Sequence, residues 1–166
     1  MLKIASIVGL LLLATPVWAV ALAVEGTPQT GTTTTSPLVI ARTTVAATVL
    51  FVHIIVGGSD TVTAVTDNGQ AMTKLQQINK AGNSHYLYAI LAPNIGTFNV
   101  SITFTGSGQH TAAVTWFAGG DTVLGWDGSA QADATSGSPS ITIASRTGDL
   151  VLDSVVDHFN FVTLTP

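Results

Sequence analysis

The chain has 166 residues, a net charge of −4 and 8% charged residues, against about 25% in an ordinary soluble domain. Its cations are Lys3, Arg42, Lys74, Lys80 and Arg146; no basic patch forms, so nucleic acid is not an expected partner. It has no cysteine for disulfides or thiolate metal sites, and no GxxxxGKS, GxGxxG or HExxH motif. No cofactor is expected.

Thr is abundant at 25 residues, Gly adds 16, and Glu occurs once, as Glu25. Thr and Val suit a pleated, half-buried surface, whereas helices favour Glu, Lys, Leu and Ala on theirs. The composition therefore predicts β-structure.

The N-terminus carries Lys3, then an apolar run from Ile4 that meets no charge until Glu25. Pro16 interrupts it, and small residues follow at VWA (to Ala19), AVA (to Ala21) and ALA (to Ala23). This is a secretory-signal pattern, with membrane contact only during export. A run of about 21 residues is also long enough to span a bilayer, but no basic stop-transfer cluster follows it. Its end has a third reading. Val20, Leu22 and Val24 alternate with Ala21 and Ala23, the period of a strand. Such a segment can add to a sheet edge. Cleavage after Ala19 keeps it; cleavage after Ala23 removes it.

Residues 24–37 read as an exposed Thr/Pro linker, centred on TPQTGTTTTSP. Clustered Thr32, Thr33, Thr34 and Thr35 beside proline are candidates for O-glycosylation. From 38 to 166 the pattern is strand, turn, strand. LVIARTT is a short strand. Val45 to Gly58 is apolar on both faces, which suits a central strand. Asn68-Gly69 marks a hairpin between two alternating runs. HYLYAILA follows, closed by Pro93-Asn94-Ile95-Gly96. TFNVSITFT alternates Phe98, Val100, Ile102 and Phe104 against Asn99, Ser101 and Thr103. Gly106-Ser107-Gly108 turns into QHTAAVTWFAGG. A Gly/Asp/Ser-rich loop holding VLGW precedes SITIAS, DLVLDSVVD and FVTLTP. Eight to ten short strands with turns every 8–12 residues predict an all-β, antiparallel β-sandwich, jelly-roll-like, preceded by residues 1–23 as signal peptide or retained apolar segment.

The series VTAVTDNGQAMTKL, HYLYAILAPNIGTFNVSITFTG, TAAVTWFAGGD and GDLVLDSVV resembles a group of uncharacterised bacterial secreted and surface β-sandwich modules, over roughly Leu38 to Val156. The resemblance implies fold rather than chemistry. It also implies further strands beyond Val156, whereas the sequence ends at FVTLTP; a sandwich short of its last strand has an open edge.

The side chains give little sign of catalysis. His53, His85, His110 and His158 form no HxH or HxxxH pair, and His53 reads as a buried core histidine. Asp121, Asp127 and Asp133 share one loop that calcium could use, but in no EF-hand spacing. Asp153 and Asp157 share a strand face, not two sides of a glycosidase cleft. Ser154 lies near His158 without a GxSxG elbow. Tyr86, Tyr88 and Trp126 could stack on a sugar, although strand aromatics more commonly pack in a core. Asn99 begins an Asn-Val-Ser sequon. Two functions are expected from this. One is a non-enzymatic, secreted filament subunit that polymerises with itself, head to tail, by donating Val20, Leu22 and Val24 to a neighbour. The other is a secreted carbohydrate-binding module whose partners are glycans.

Overall fold

The computed structural model describes residues 23–80, 82–119, 155–157 and 160–162. Every regular element among them is a strand: β1 (Ala23–Val24), β2 (Gln29–Thr33), β3 (Leu38–Thr44), β4 (Ala47–Gly57), β5 (Val62–Asp67), β6 (Gln70–Ala71), β7 (Thr73–Lys80), β8 (Asn83–Leu91), β9 (Gly96–Phe104), β10 (His110–Ala118), β11 (Val155–Asp157) and β12 (Asn160–Val162). All pairings among them are antiparallel.

Two sheets pack face to face as a β-sandwich. One runs β10-β4-β8-β7, with β1 and β2 both on the outer edge of β10. The other runs β3-β9-β5-β6. β11 and β12 pair as a small hairpin. Among the described residues, no helix is long and apolar enough to cross a membrane.

The hydrophobic pattern explains this arrangement. β3 and β9 alternate, so Leu38 and Ile40 face inward together with Val100, Ile102 and Phe104. β4 is apolar on both faces and lies between β10 and β8. Leu50, Val52, Ile54 and Val56 enter the main core. Val49 and Phe51 join Ala89 and Phe117 in a second apolar cluster on the opposite face of that sheet. Turn chemistry fixes the hairpins. Asn68 (φ 48°) and Gly69 (φ 81°) provide the two positive dihedrals of a tight turn between β5 and β6. Buried Met72 carries the chain from one sheet to the other.

One charged pair lies inside this core. The side chains of Arg42 and Asp67 are both fully buried. Arg42 reaches from β3 across β9 to Asp67 on β5. Its Nε donates to Asp67 Oδ1 at 2.8 Å and its Nη2 to Oδ2. Its Nη1 donates to Thr44 Oγ1 (2.9 Å) and to the Asn94 carbonyl (2.8 Å) in the β8–β9 turn. The guanidinium lies 5.7 Å from the Phe98 ring centroid. Every nitrogen of the fork is used, so the pair fixes three elements together.

Several sequence expectations fell elsewhere. Residues 24–37 are not a free linker. They contain β2, and Thr33 Oγ1 bonds Thr35 within the following turn. Gln-Thr-Gly-Thr-Thr lacks apolar alternation because an edge strand needs little of it. The sandwich consequently includes strands that precede Leu38, β1 and β2. SITIAS and most of DLVLDSVVD and FVTLTP lie outside the described residues.

Removing one partner of the buried pair strands the other charge. We expect Arg42→Ala or Asp67→Ala to cost about 3–5 kcal/mol in urea denaturation. The double replacement Arg42→Met/Asp67→Leu should cost much less than the sum of the single changes.

Candidate functional site

The N-terminal segment and the strand edge that receives it form the most structured site among the described residues. Ala23 pairs with Ala118 and Val24 with Phe117. The Glu25 N–H donates to the Trp116 carbonyl at 3.0 Å. β2 then pairs Gln29 with Val114 through to Thr33 with His110. Between these two runs, Gly26, Thr27 and Pro28 stand opposite Thr115 alone. Pro28 has no N–H to lose there, and Gly26 adopts φ 76°, a conformation that suits glycine. Residues 23–33 are therefore one edge strand with a bulge in its middle.

Several contacts seat this strand. The Glu25 Oε1 accepts hydrogen bonds from Val45 N–H and Ala46 N–H (the latter 3.1 Å) in the β3–β4 turn. Gly26 lies on the Trp116 indole; a Cβ there would sit 3.3 Å from Cζ2. Gly31 rests on β3, and a Cβ would meet Ile40 Cγ1 and Leu38 Cδ1 at 3.0 Å. Thr32 and Thr111 hydroxyls bond across the ladder at 3.2 Å. An open cleft of about 400 Å³ remains between the strand and β3, lined by Gly26, Thr27, Gln29, Ala41, Arg42, Thr43 and Trp116. Two buried polar atoms at this corner, Glu25 Oε2 and Trp116 Nε1, have no hydrogen-bond partner.

The other chemical grouping is at the opposite end of β10. His110 is fully buried and stacks on Phe104, with ring centroids 4.1 Å apart. Its Nε2 lies 3.5 Å from Asp60 Oδ2, and neither ring nitrogen makes a hydrogen bond. Asp60 is engaged by the Gly108 N–H at 2.7 Å. The Ser36 hydroxyl is engaged too, accepting from the Phe104 N–H at 3.0 Å. The arrangement is a packed pair rather than an aligned nucleophile and base. Burial pushes the His110 pKa below its ordinary value, with Asp60 opposing the shift. Among the described residues, no group of three or more His, Asp or Glu side chains could hold a metal.

The expected site residues separate clearly. Val24 is exposed and lies in β1 on its own chain's β10, so it does have a local partner; Val20 and Leu22 lie outside the described residues. Tyr86 and Tyr88 belong to the main core, 4% and 8% exposed, so their faces are covered and form no sugar platform. Trp126 lies outside the described residues, as do Asp121, Asp127, Asp133, Asp153, Ser154 and His158. Thr32, Thr34 and Thr35 are exposed and Thr33 is half-buried; Asn99 is exposed on the polar face of β9. His53 is half-buried; among the described residues the fully buried histidine is His110 instead. Sequence reasoning missed Glu25, Gly31 and Trp116 as a unit. Glu25, the chain's single Glu, placed just after an apolar strand pattern, was the available signal.

We expect Gly31→Val to unseat β2 by overpacking against Leu38 and Ile40, at a cost of about 1–3 kcal/mol. Faster amide hydrogen exchange along Ala112–Val114 would report it. The His110 shift gives a pH prediction. Its folded pKa is lowered, so the unfolded chain binds more protons just below pH 6.5. Stability is therefore complete above that pH and falls as pH drops through it. In His110→Phe, which keeps the stack on Phe104, denaturation midpoints should lose much of their decline as pH falls below 6.5.

No family model matches the chain, and no curated protein or solved structure matches it either.

Proposed function

We propose that the protein is a non-enzymatic structural subunit of an extracellular or cell-surface filament, polymerising by insertion of its N-terminal segment into a neighbouring subunit. The observation that carries this reading is the edge strand of residues 23–33. It is held by a backbone ladder to β10 and by small or acidic residues seated on β3 and the β3–β4 turn. Only residues 34–37 join it to β3.

A strand held this way at a domain edge can occupy the same position on a second copy with the same contacts. Exchange of an identical element is a low-cost route to association. When each subunit donates to the next, the contact is heterologous and produces a fibre. The strand orders β2-β10-β4-β8 and β3-β9-β5-β6 support a jelly-roll-like winding in which β2 is an early strand. Donation of residues 23–33, β1 and β2 together, then removes a complete edge strand from one sandwich and completes another.

The rest of the reading rests on sequence. The leader pattern directs export, and cleavage after Ala19 would leave Val20, Leu22 and Val24 at the tip of the donated segment. A chain without cysteine relies on main-chain hydrogen bonds and packing for extracellular durability, and strand addition supplies both.

Deleting residues 20–26 should abolish filaments in negative-stain electron microscopy and leave monomer on sizing. Intact filaments from the deletion protein would contradict the proposal. Mass spectrometry of the extracellular N-terminus should find Val20 or an earlier residue.

A further inference from the structure

The sequence of β2 is almost degenerate in register. Thr30, Thr32 and Thr34 repeat at a spacing of two, so sliding the strand by two residues replaces one Thr opposite Thr111 with another. A polar, two-sided strand specifies its register weakly. The bulge of residues 26–28 could also move or absorb a slip. Two contacts break the degeneracy. Gly31 acts by exclusion, because a slip brings Gln29 or Thr33 against Leu38 and Ile40. Glu25 acts by attraction. Its carboxylate fits the paired N–H groups of Val45 and Ala46, while its own N–H meets the Trp116 carbonyl.

We propose that the N–H groups of Val45 and Ala46 form a carboxylate socket, and that Glu25, acting through it alongside the exclusion at Gly31, sets the register of the inserted strand. No other Glu exists in the chain to compete for the socket. The socket belongs to the β3–β4 turn, so it ties the donated strand to the crossover between the two sheets. A strand one copy donates to another is recognised by the same pair of N–H groups. In that respect the inference rests on the filament reading. The register role itself holds whether the strand is donated or retained.

The absence of native cysteine allows a direct test in the full chain. The hydroxyls of Thr32 and Thr111 are 3.2 Å apart, so Thr32→Cys/Thr111→Cys places two thiols for a disulfide in the native register. Thr30→Cys/Thr111→Cys and Thr34→Cys/Thr111→Cys report slips of two residues in either direction. On adding Glu25→Ala, we expect the native-register bond to fall roughly tenfold, the equivalent of a charge-assisted hydrogen bond, while one of the slipped bonds rises. Glu25→Gln, which keeps an acceptor oxygen, should fall between. An unchanged native-register bond would overturn the proposal. So would its loss with no gain at position 30 or 34, because Glu25 would then anchor the strand without choosing its register. Bonds found only within single chains would count against filament formation by insertion, but would leave the register result readable.

Discussion

The outer edge of β10 is the constraint on which the sandwich depends. β10 contributes Ala112, Val114 and Trp116 to the main core and pairs with β4 along one side. Its other side presents a row of backbone N–H and C=O groups, an open edge that templates pairing with another strand unless one covers it. The chain covers this edge with residues 23–33. They are largely polar and exposed, contribute little apolar area, and are held by ladder bonds, one carboxylate and two glycine seats. That balance differs from β4, which is held by burial on both faces. The edge strand is thus the element with the least packing to lose on exchange.

Polar burial divides along a similar line. Arg42 and Asp67 are buried with every nitrogen of the guanidinium engaged, and they lock β3, β5 and the β8–β9 turn together. Breaking such a pair is costly even where its net contribution is small, so it favours one packing of these strands over others. Trp116 Nε1, Glu25 Oε2 and both nitrogens of His110 are buried without hydrogen-bond partners, as is Asn83 Oδ1 at the start of β8. Trp116, Glu25 and His110 all lie on β10 or on the strand laid against it. Among the described residues, Asn83 apart, the unsatisfied polarity is gathered along that edge, and the satisfied Arg42–Asp67 pair belongs to the opposite sheet.

Much of the body is legible in the sequence because its strands alternate. LVIARTT predicts β3 to the residue, and Asn68-Gly69 predicts its hairpin from the positive dihedrals both residues tolerate. The same alternation holds more than a strand assignment: Leu38, Ile40, Arg42 and Thr44 share a face, which places the arginine inside and requires a partner. β2 is illegible because its partner lies 79 positions away (Thr32 opposite Thr111) and its stabilisation is backbone bonding, which leaves no hydrophobic trace. Tyr86 and Tyr88 read as a candidate platform because alternation places them on one face without saying which face is covered. His53 reads as the buried histidine because its neighbours are apolar, yet it points to the outer side of β4. The Glu25 socket depends on a turn 20 residues downstream, beyond the reach of local pattern.

In the proposed filament, the strand on β10 comes from another subunit. Two single variants, Thr32→Cys and Thr111→Cys, can be unfolded, mixed, refolded together under assembly conditions and oxidised. Neither can form a disulfide between positions 32 and 111 within its own chain. Strand exchange between subunits should give a strong disulfide joining one chain of each kind, identified by peptide mass. Its absence, under conditions where the double variant forms the same bond readily within one chain, would show that the strand stays on its own domain and would rule out filament formation by insertion.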